Sequence, residues 1–242
     1  MKIEAHIIAY NEEMMLPFTL DYYSKLCDNI IIYDNYSSDN TVEICKKYPK
    51  VSIEKFHSRD ELSDMAYLQV KNERWKDSKA DWIIVCDTDE ILYFDTDIRQ
   101  RLELMDYQQV SLPAIQGYNM FSDTFPESGI DIIDQVKMGI REKSFDKQIL
   151  FNRRHIKEIN YNYGCHVSRP VGKIKTGKYE PFLLLHYKYL GIDYLTKRHE
   201  MYAKRMSRFN RMNGFGVEYL EGGKRIEQIF SESKNKLKKI IK

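Results

Sequence analysis

The sequence predicts an α/β fold with a mostly parallel sheet flanked by helices. Short apolar stretches of strand length alternate with stretches of helix length through the first half of the chain. The 242 residues are 43% hydrophobic and 31% charged, which is typical of a globular chain with a core of its own. No repeat or low-complexity linker interrupts this pattern. Strands that alternate with helices form βαβ units, and such units build parallel sheets.

The elements of the first half follow from these patterns in order. The predicted strands are Ile3–Ala9, Asn29–Tyr33, Val51–Phe56 and Trp82–Cys86. The predicted helices are Leu16–Leu26, a helix capped by Asp39 that runs to Tyr48, and Glu61–Lys79.

The second half shows shorter strands followed by two helices. The predicted strands are Val110–Ala114, Val136–Ile140, Gln148–Asn152 and Phe182–Tyr187, and the predicted helices are Asp193–Asn213 and Lys224–Ile241. We therefore expect one α/β domain over residues 1–190 and a C-terminal helical extension over residues 191–242.

Charge and glycine are unevenly distributed along the chain. The net charge of +2 argues against a nucleic-acid-binding protein. Residues 1–190 carry 25 basic and 30 acidic residues, whereas residues 191–242 carry 13 and 6. All eleven glycines lie at or after Gly117, so the first 116 residues contain no glycine-rich phosphate loop. A nucleotide bound by this half would be held by other chemistry.

Membrane-spanning and disulfide-rich classes are not indicated. No apolar run approaches the roughly 18–20 residues that span a bilayer, and Glu4 and His6 stand where a signal peptide would need apolar residues. The four cysteines are scattered without a C-x-x-C pair, which predicts reduced thiols and neither disulfides nor a zinc site. We expect a cytoplasmic protein.

Three polar, mainly acidic loops follow predicted strands, at residues 10–13, 34–39 and 87–90. Ligands of parallel sheets bind at the carboxyl ends of the strands, so these loops should share one site. Asp87 and Asp89 directly follow a strand and can converge on one hard cation, for which Mg²⁺ or Mn²⁺ is suited. The alternative is a solvated acidic loop without a metal.

These loops carry a family resemblance. Ala9–Glu13, Asp34–Thr41, and Lys71-Asn72 followed by Ala80–Glu90 resemble three ordered motifs of GT-A glycosyltransferases of family 2. The resemblance covers about residues 2–120. Farther along, Gly164-Cys165-His166 and Leu184–Tyr187 are similar to segments of a divergent bacterial branch.

The resemblance implies a nucleotide-sugar site over residues 1–120 and an acceptor side over residues 121–190. It implies nucleoside contacts from Tyr10, Glu12 and Asp34, with Lys71 where the family often has arginine. Asp87 would contact the ribose or the metal, and Asp89 would be the main metal ligand. Asn35 replaces the second aspartate of the usual loop, which leaves the base preference open.

Inverting sugar transfer needs a general base that takes a proton from the acceptor hydroxyl. Of the carboxylates Asp123, Glu142 and Asp146, we choose Asp146, although it could instead cap a turn and pair with Lys147 or Arg141. His186 is predicted as a metal or diphosphate ligand and His166 as a catalytic contact to acceptor or diphosphate; the alternative for each is a structural histidine. His6, His57, His155 and His199 are predicted to be structural.

The C-terminal extension is basic. One or two of Lys197, Arg198, Lys204, Arg205, Arg208 and Arg211 could reach the donor diphosphate, although such a run is usually a solvated face. The stretch from Lys224 to Lys242 has seven basic and two acidic residues beside an apolar face. It either attaches to anionic lipid at the inner face of the membrane or packs on the domain.

These observations lead to one hypothesis and two rivals. The hypothesis is a metal-dependent, inverting glycosyltransferase that moves a sugar from a nucleotide-sugar donor to a saccharide or lipid-linked saccharide acceptor, in surface polysaccharide or glycoconjugate synthesis. The rivals are a sugar-phosphate nucleotidyltransferase, which normally has a glycine-rich loop after its first strand, and a non-catalytic module that binds a saccharide or a partner.

Overall fold

The first half of the chain confirms the predicted alternation of strands and helices. The computed structural model describes residues 1–220 and 222–242. In order, the elements are β1 (Ile3–Ala9), α1 (Leu16–Leu26), β2 (Asn29–Asp34), α2 (Thr41–Cys45), β3 (Val51–Lys55), α3 (Asp64–Glu73), β4 (Trp82–Asp87), β5 (Glu90–Tyr93) and α4 (Ile98–Tyr107).

The second half is built of short strands and then helices. It contains β6 (Ile115–Ser122), α5 (Ile132–Gln135), β7 (Met138–Arg141), β8 (Leu150–Asn152), β9 (Ile156–Glu158), β10 (Val171–Gly172), β11 (Phe182–Leu190), α6 (Ile192–Arg205), α7 (Arg208–Asn213), α8 (Gly223–Lys234) and β12 (Lys238–Lys239). Single 3₁₀ turns lie at Arg74–Asp77, Lys143–Phe145, Tyr163–Cys165 and Val217–Leu220.

The first sheet has the strand order β3-β2-β1-β4-β8. Its first four strands are parallel, and β8 is antiparallel to β4. Every residue of β1 is buried, as expected for a central strand covered on both faces. Ala9 lies opposite Asp34 and Ile8 opposite Asp87, so β1, β2 and β4 end at the same edge. The structure thus confirms that the three acidic loops share one edge.

The second sheet has the order β12-β7-β6-β11-β5 and is mixed. Only β6 and β11 run parallel. The two sheets share one hydrophobic core, in which Ile7 and Ile84 of the first sheet belong to the same cluster as Leu92 and Leu184 of the second. The fold is α/β with a parallel-rich sheet, and the second sheet packs against it.

Some predicted elements have different bounds. Val110–Ala114 is not a strand, since only Leu112 forms a single bridge, to Thr176, and the strand begins at Ile115. The predicted helix Glu61–Lys79 begins only at Asp64, because the Ser63 side chain caps it. The predicted helix Asp193–Asn213 breaks at Met206, since Ser207 accepts a hydrogen bond from the Asn210 amide and caps α7.

The C-terminal segment packs on the domain and adds an edge strand to the second sheet. The predicted helix Lys224–Ile241 is wrong in its second half, because α8 ends at Lys234 and β12 then pairs with β7. Ile241 is buried in the main core. Ile226 and Phe230 of α8 pack against Leu195, so its apolar face is turned toward the protein and away from lipid. Within the described residues, no helix has the length and hydropathy needed to cross a bilayer.

Candidate active site

A cavity of about 520 Å³ opens where β1 and β4 end. Seven of the nine predicted site residues line it: Tyr10, Glu12, Lys71, Asp87, Asp89, His166 and His186. Two predicted residues, Asp34 and Asp146, are not among the lining residues. The lining also includes residues that sequence reasoning did not assign to the site: Asp64, Tyr67, Glu90, Phe145, Lys147, Tyr163, Lys188, His199, Tyr202, Phe215, Glu218 and Tyr219.

Motif residues after β1 and β2 hold the two loops together. The amide of Glu12 donates to Thr41 Oγ1 (2.8 Å), and the amide of Glu13 donates to Asp39 Oδ2 (3.0 Å). In return, Asn11 Oδ1 accepts from the Ser38 amide (2.7 Å). Asp39 and Thr41 therefore act on the backbone of the first loop, and this fixes the position from which the Glu12 side chain reaches the cavity.

Asp34 lies outside the lining of the cavity, and its nucleoside contact stays a prediction. It is fully buried, and Oδ1 accepts from the Ser37 amide (3.0 Å). Its side chain stabilises the loop after β2 and does not line the cavity. The neighbouring Asn35 accepts from Arg205 Nη2 (2.7 Å), and the Arg205 guanidinium lies 3.2 Å from the ring centroid of Tyr10.

Lys71 contacts Asp87. Its Nζ lies 2.7 Å from Oδ1 and 2.8 Å from Oδ2 of that carboxylate. Burial would raise the pKa of Asp87, but Lys71 and then Lys147 outweigh it and lower that pKa. The predicted nucleotide contact of Lys71 is thus replaced, in the free protein, by an ion pair that keeps Asp87 ionised.

A second ion pair fixes the loop between β4 and β5. Lys147 Nζ donates to Glu90 Oε1 at 2.6 Å, and both side chains are almost completely buried. Glu90 Oε2 accepts from the Asp87 amide (3.1 Å), so this pair holds the backbone that carries Asp87 and Asp89. The sequence shows the Glu90 and Lys147 residue types but not their pairing, because 57 positions separate them.

Asp89 faces the guanidinium of Arg198 and the imidazole of His186 in the cavity. Its Oδ2 lies 3.3 Å from Arg198 Nη2 and 3.4 Å from His186 Nε2. Asn119 Oδ1 accepts from His186 Nδ1 (2.8 Å), which orients the imidazole toward Asp89. Burial would raise the pKa of Asp89, but Arg198 and His186 outweigh it and hold that pKa well below its usual range.

Arg198 connects the two motif carboxylates from outside the predicted donor domain. Its Nη2 donates to Glu12 Oε1 (2.9 Å), and its Nη1 donates to the Tyr194 hydroxyl (2.7 Å). Burial raises the pKa of Glu12 to about 7 in spite of Arg198, and the nearby charge of Asp89 adds to the rise. Of the basic residues after His186, Arg198 reaches the acidic loops, whereas Lys197 on the same helix is exposed.

The two histidines of the cavity contact one phenylalanine. The Phe145 ring stacks on His186 with centroids 4.0 Å apart and meets His166 nearly edge-on at 5.2 Å. His166 Nδ1 donates to the Ser144 carbonyl (2.7 Å), which leaves Nε2 as the acceptor nitrogen. Partial burial and the charge of Lys147 lower the pKa of His166, so the ring is neutral near pH 7.

His199, predicted to be structural, also lines the cavity. It is nearly fully buried, and burial lowers its pKa to about 4. Its ring meets Tyr219 edge-on, with centroids 5.3 Å apart. A neutral, buried imidazole packed on an aromatic ring agrees with the structural interpretation.

Asp146 also lies outside the lining of the cavity. Its Oδ1 accepts from the Gly117 amide (2.9 Å) and its Oδ2 from Arg141 Nη2 (2.7 Å). Both oxygens are therefore engaged outside the cavity. The alternative that Asp146 fixes a turn and pairs with Arg141 is the one that the structure shows.

The cavity offers a divalent cation two protein donors. No group of three or more His, Cys, Asp or Glu side chains suited to a metal occurs in residues 1–220 and 222–242. Asp89 and His186 nevertheless present an oxygen and a nitrogen 3.4 Å apart. Six carboxylates and four lysine or arginine side chains line the cavity, so its charge favours a cation. Mg²⁺ is commonly held by one or two carboxylates together with substrate phosphates, and this donor set fits that pattern.

The family of the chain follows from a comparison with known families. The sequence profile described as Glycosyl transferase family 2 matches residues 5–171, which is more than half of the chain. The chain belongs to glycosyl transferase family 2. The matched span contains both loop aspartates and His166, whereas His186 and Arg198 lie beyond it.

Solved structures resemble this family 2 chain at low sequence identity. A crystal structure of residues 1–349 of TarS from S. aureus matches with 12% identity and a TM-score of 0.48, over 85% of this chain and 65% of that one. Glucosyl-3-phosphoglycerate synthase from Mycobacterium tuberculosis, in complex with Mn²⁺, UDP and glucosyl-3-phosphoglycerate, matches with 16% identity and a TM-score of 0.33, over 49% and 44%.

A third structure, 4-diphosphocytidyl-2C-methyl-D-erythritol synthase from Anaerococcus prevotii DSM 20548, matches with 15% identity and a TM-score of 0.35, over 63% of this chain and 70% of that one. The chain spans less than two thirds of the length of TarS residues 1–349 and of the mycobacterial synthase. No curated protein sequence matches the chain.

Proposed function

We propose that the protein is a metal-dependent glycosyltransferase that moves a sugar from a nucleoside-diphosphate sugar to a saccharide or glycolipid acceptor. One observation carries the proposal: the carboxylate of Asp89 faces His186 and Arg198 in a cavity at the carboxyl ends of parallel strands. This is where α/β sheets bind their ligands. Membership of family 2 supports a glycosyl transfer over a nucleotidyl transfer.

The donor side would be formed by the acidic loops and Arg198. All three of Tyr10, Asp87 and Asp89 line the cavity. Tyr10 would contact the nucleoside, and Asp87 and Asp89 would face the diphosphate. A bound Mn²⁺ or Mg²⁺, held by Asp89 and His186, would supply charge neutralisation of the departing diphosphate. Arg198 can donate charge-assisted hydrogen bonds to phosphate oxygens once it releases a carboxylate.

His166 takes the role for which the sequence favoured Asp146. An inverting transfer requires a base that accepts the proton of the acceptor hydroxyl as its oxygen attacks the anomeric carbon. His166 Nε2 is free to accept that proton, because Nδ1 is committed to the Ser144 carbonyl. The ring is neutral near pH 7, which is the protonation state that a base needs.

Cellular location, pathway and membrane contact remain predictions. A role in surface polysaccharide or glycoconjugate synthesis at the cytoplasmic side of the membrane fits a saccharide or lipid-linked acceptor. Since the apolar face of α8 packs inward, contact with anionic lipid would rest on charge alone. The exposed side chains Lys234, Lys236, Lys238 and Lys239 would supply that charge.

A thermal-shift experiment tests the donor side. Nucleoside diphosphates are added with and without Mn²⁺ to the wild type, to Asp89→Asn and to the control Asp123→Asn, whose side chain is 81% exposed and lies outside the cavity. We expect at least one diphosphate to raise the melting temperature in the presence of Mn²⁺, in the wild type and the control but not in Asp89→Asn.

The outcomes separate the rival functions. Release of free sugar from the matching nucleotide sugar by the wild type would support the transferase. Binding of nucleoside triphosphate and sugar phosphate with release of pyrophosphate would instead indicate a nucleotidyltransferase. No stabilisation by any nucleotide, with or without Mn²⁺, would refute the proposed donor site and favour a non-catalytic module.

A further inference from the structure

Three aromatic rings pack against one another, and two of them line the cavity. Their ring centroids lie 5.0 Å (Tyr163–Phe215), 5.5 Å (Tyr163–Phe209) and 6.0 Å (Phe209–Phe215) apart. Tyr163 and Phe215 line the cavity, and the Tyr163 side chain is left 37% exposed. We call Tyr163, Phe209 and Phe215 the aromatic patch. The proposed donor chemistry uses none of these rings.

Glycines on both sides of Phe215 set its position. Gly214 and Gly216 both have φ of +69°, in the left-handed region that other residues adopt only at a cost. A Cβ at Gly216 would come within 3.0 Å of the Tyr219 ring. The backbone here allows a tight turn against a packed ring and leaves Phe215 at the cavity wall.

The patch adjoins the proposed base. Tyr163 and His166 belong to the same turn, and Gly164 (φ +72°) allows the imidazole to pack over the backbone, since a Cβ there would lie 2.8 Å from His166 Cδ2. A base must touch the acceptor hydroxyl. The body of the acceptor therefore has to lie beside His166, and Tyr163 of the same turn brings the aromatic patch to this part of the cavity. This step rests on the proposed function.

We infer that the aromatic patch binds the C–H face of a pyranose ring in the acceptor. Flat aromatic faces match the apolar face of a sugar, while the sugar hydroxyls need polar partners around it. Glu218 and Lys188, whose charged atoms lie 3.9 Å apart, line the same cavity and can bond such hydroxyls. A lipid chain at this position would desolvate these charges without pairing them, so a saccharide is favoured over an acyl chain.

Saturation-transfer NMR without any nucleotide tests the inference. The probes are methyl and octyl pyranosides of glucose, galactose, mannose and N-acetylglucosamine. The proteins are the wild type, Phe215→Leu, Tyr163→Leu and the control Tyr107→Leu, whose residue is 87% exposed at the end of α4. Leucine keeps the apolar character and removes the ring. We expect saturation of ring C–H protons of at least one methyl glycoside, and about tenfold weaker binding in both patch variants but not in the control.

Three results would overturn the inference: no glycoside signal with the wild type, equal binding by Phe215→Leu, or saturation confined to the octyl chain. If Tyr163→Leu does not fold, Phe215→Leu decides the question, with its melting curve as the check on folding. The outcome is separate from that of the donor test. Glycoside binding through the patch without any nucleotide response would refute the transferase and leave the saccharide site standing.

Discussion

Replacing Arg198 with methionine removes one cation from between two buried carboxylates. The side chains of Glu12 and Asp89 are only 5% and 8% exposed, and Arg198 Nη2 lies 2.9 Å and 3.3 Å from them. Removing one partner of a buried ion pair costs about 3–5 kcal/mol, because the remaining charge is left unpaired. For a protein of this size, each kcal/mol lowers the melting temperature by about 2–4 °C. We expect Arg198→Met to melt about 6–20 °C lower than the wild type at pH 8.

The loss should depend on pH and on metal. The pKa of Glu12 is raised to about 7 in the folded protein, and a raised carboxyl pKa means that stability is lost as pH rises through it. Without Arg198 that pKa rises further, so the variant should be closer to the wild type at pH 5.5 than at pH 8. A divalent cation can replace the guanidinium, so Mn²⁺ should raise the melting temperature of Arg198→Met more than that of the wild type.

Scanning calorimetry at both pH values, with and without Mn²⁺, measures these differences. Lys197→Met is the matched control, since it removes one positive charge from the exposed face of the same helix. An equal loss of melting temperature in the two variants, or a loss in Arg198→Met that is the same at pH 5.5 and pH 8, would refute the electrostatic reasoning.

Three further predictions concern other residues. Glu90→Gln should lower the urea-unfolding free energy by about 3–5 kcal/mol, whereas the double variant Glu90→Leu/Lys147→Met should recover most of it, because no unpaired buried charge remains. If His166 is the base, kcat/KM of the wild type should fall as the pH is lowered through the pKa of His166, which lies below 6.5. His166→Gln should have a low kcat/KM that does not fall further on acidification. An unchanged pH profile in this variant would exclude the role. Phe230→Ala should cost about 3–5 kcal/mol yet leave sedimentation with anionic vesicles unchanged, since this ring packs inward; weaker sedimentation would contradict that packing.

The parallel half of the fold was predictable because short stretches of sequence determine its strands and helices. Strands β2 and β4 are apolar runs bounded by polar residues, and α1 begins and ends where periodicity places it. The second half of the chain was harder to predict, since β7, β8 and β9 have only three or four residues. Strands this short show no clear alternation, and their pairing depends on the packing of the whole domain.

The residues of the candidate site also divide into those that the local sequence identifies and those that depend on how distant segments pack. Asp87 and Asp89 were identifiable because they directly follow a buried strand. Arg198 was not separable from its basic neighbours, since 186 positions lie between it and Glu12 and only the docking of α6 selects the residue that faces inward. Asp146 has the residue type of a general base. A carboxylate can act as a base only when one of its oxygens is free to accept a proton. The contacts of Asp146 with Gly117 and Arg141 occupy both oxygens, and the sequence does not reveal them.

The pairing of β12 with β7 fixes the C-terminal end of the basic segment, residues 191–242. Strand β11 before it and β12 after it belong to one sheet, and the Ile240 amide donates to the Lys137 carbonyl (2.8 Å). The helices between them therefore belong to a segment that is held by the same sheet at both ends. Several cavity residues, among them Arg198, His199 and Tyr202, lie on this segment. Their positions therefore depend on the second sheet as well as on their own contacts.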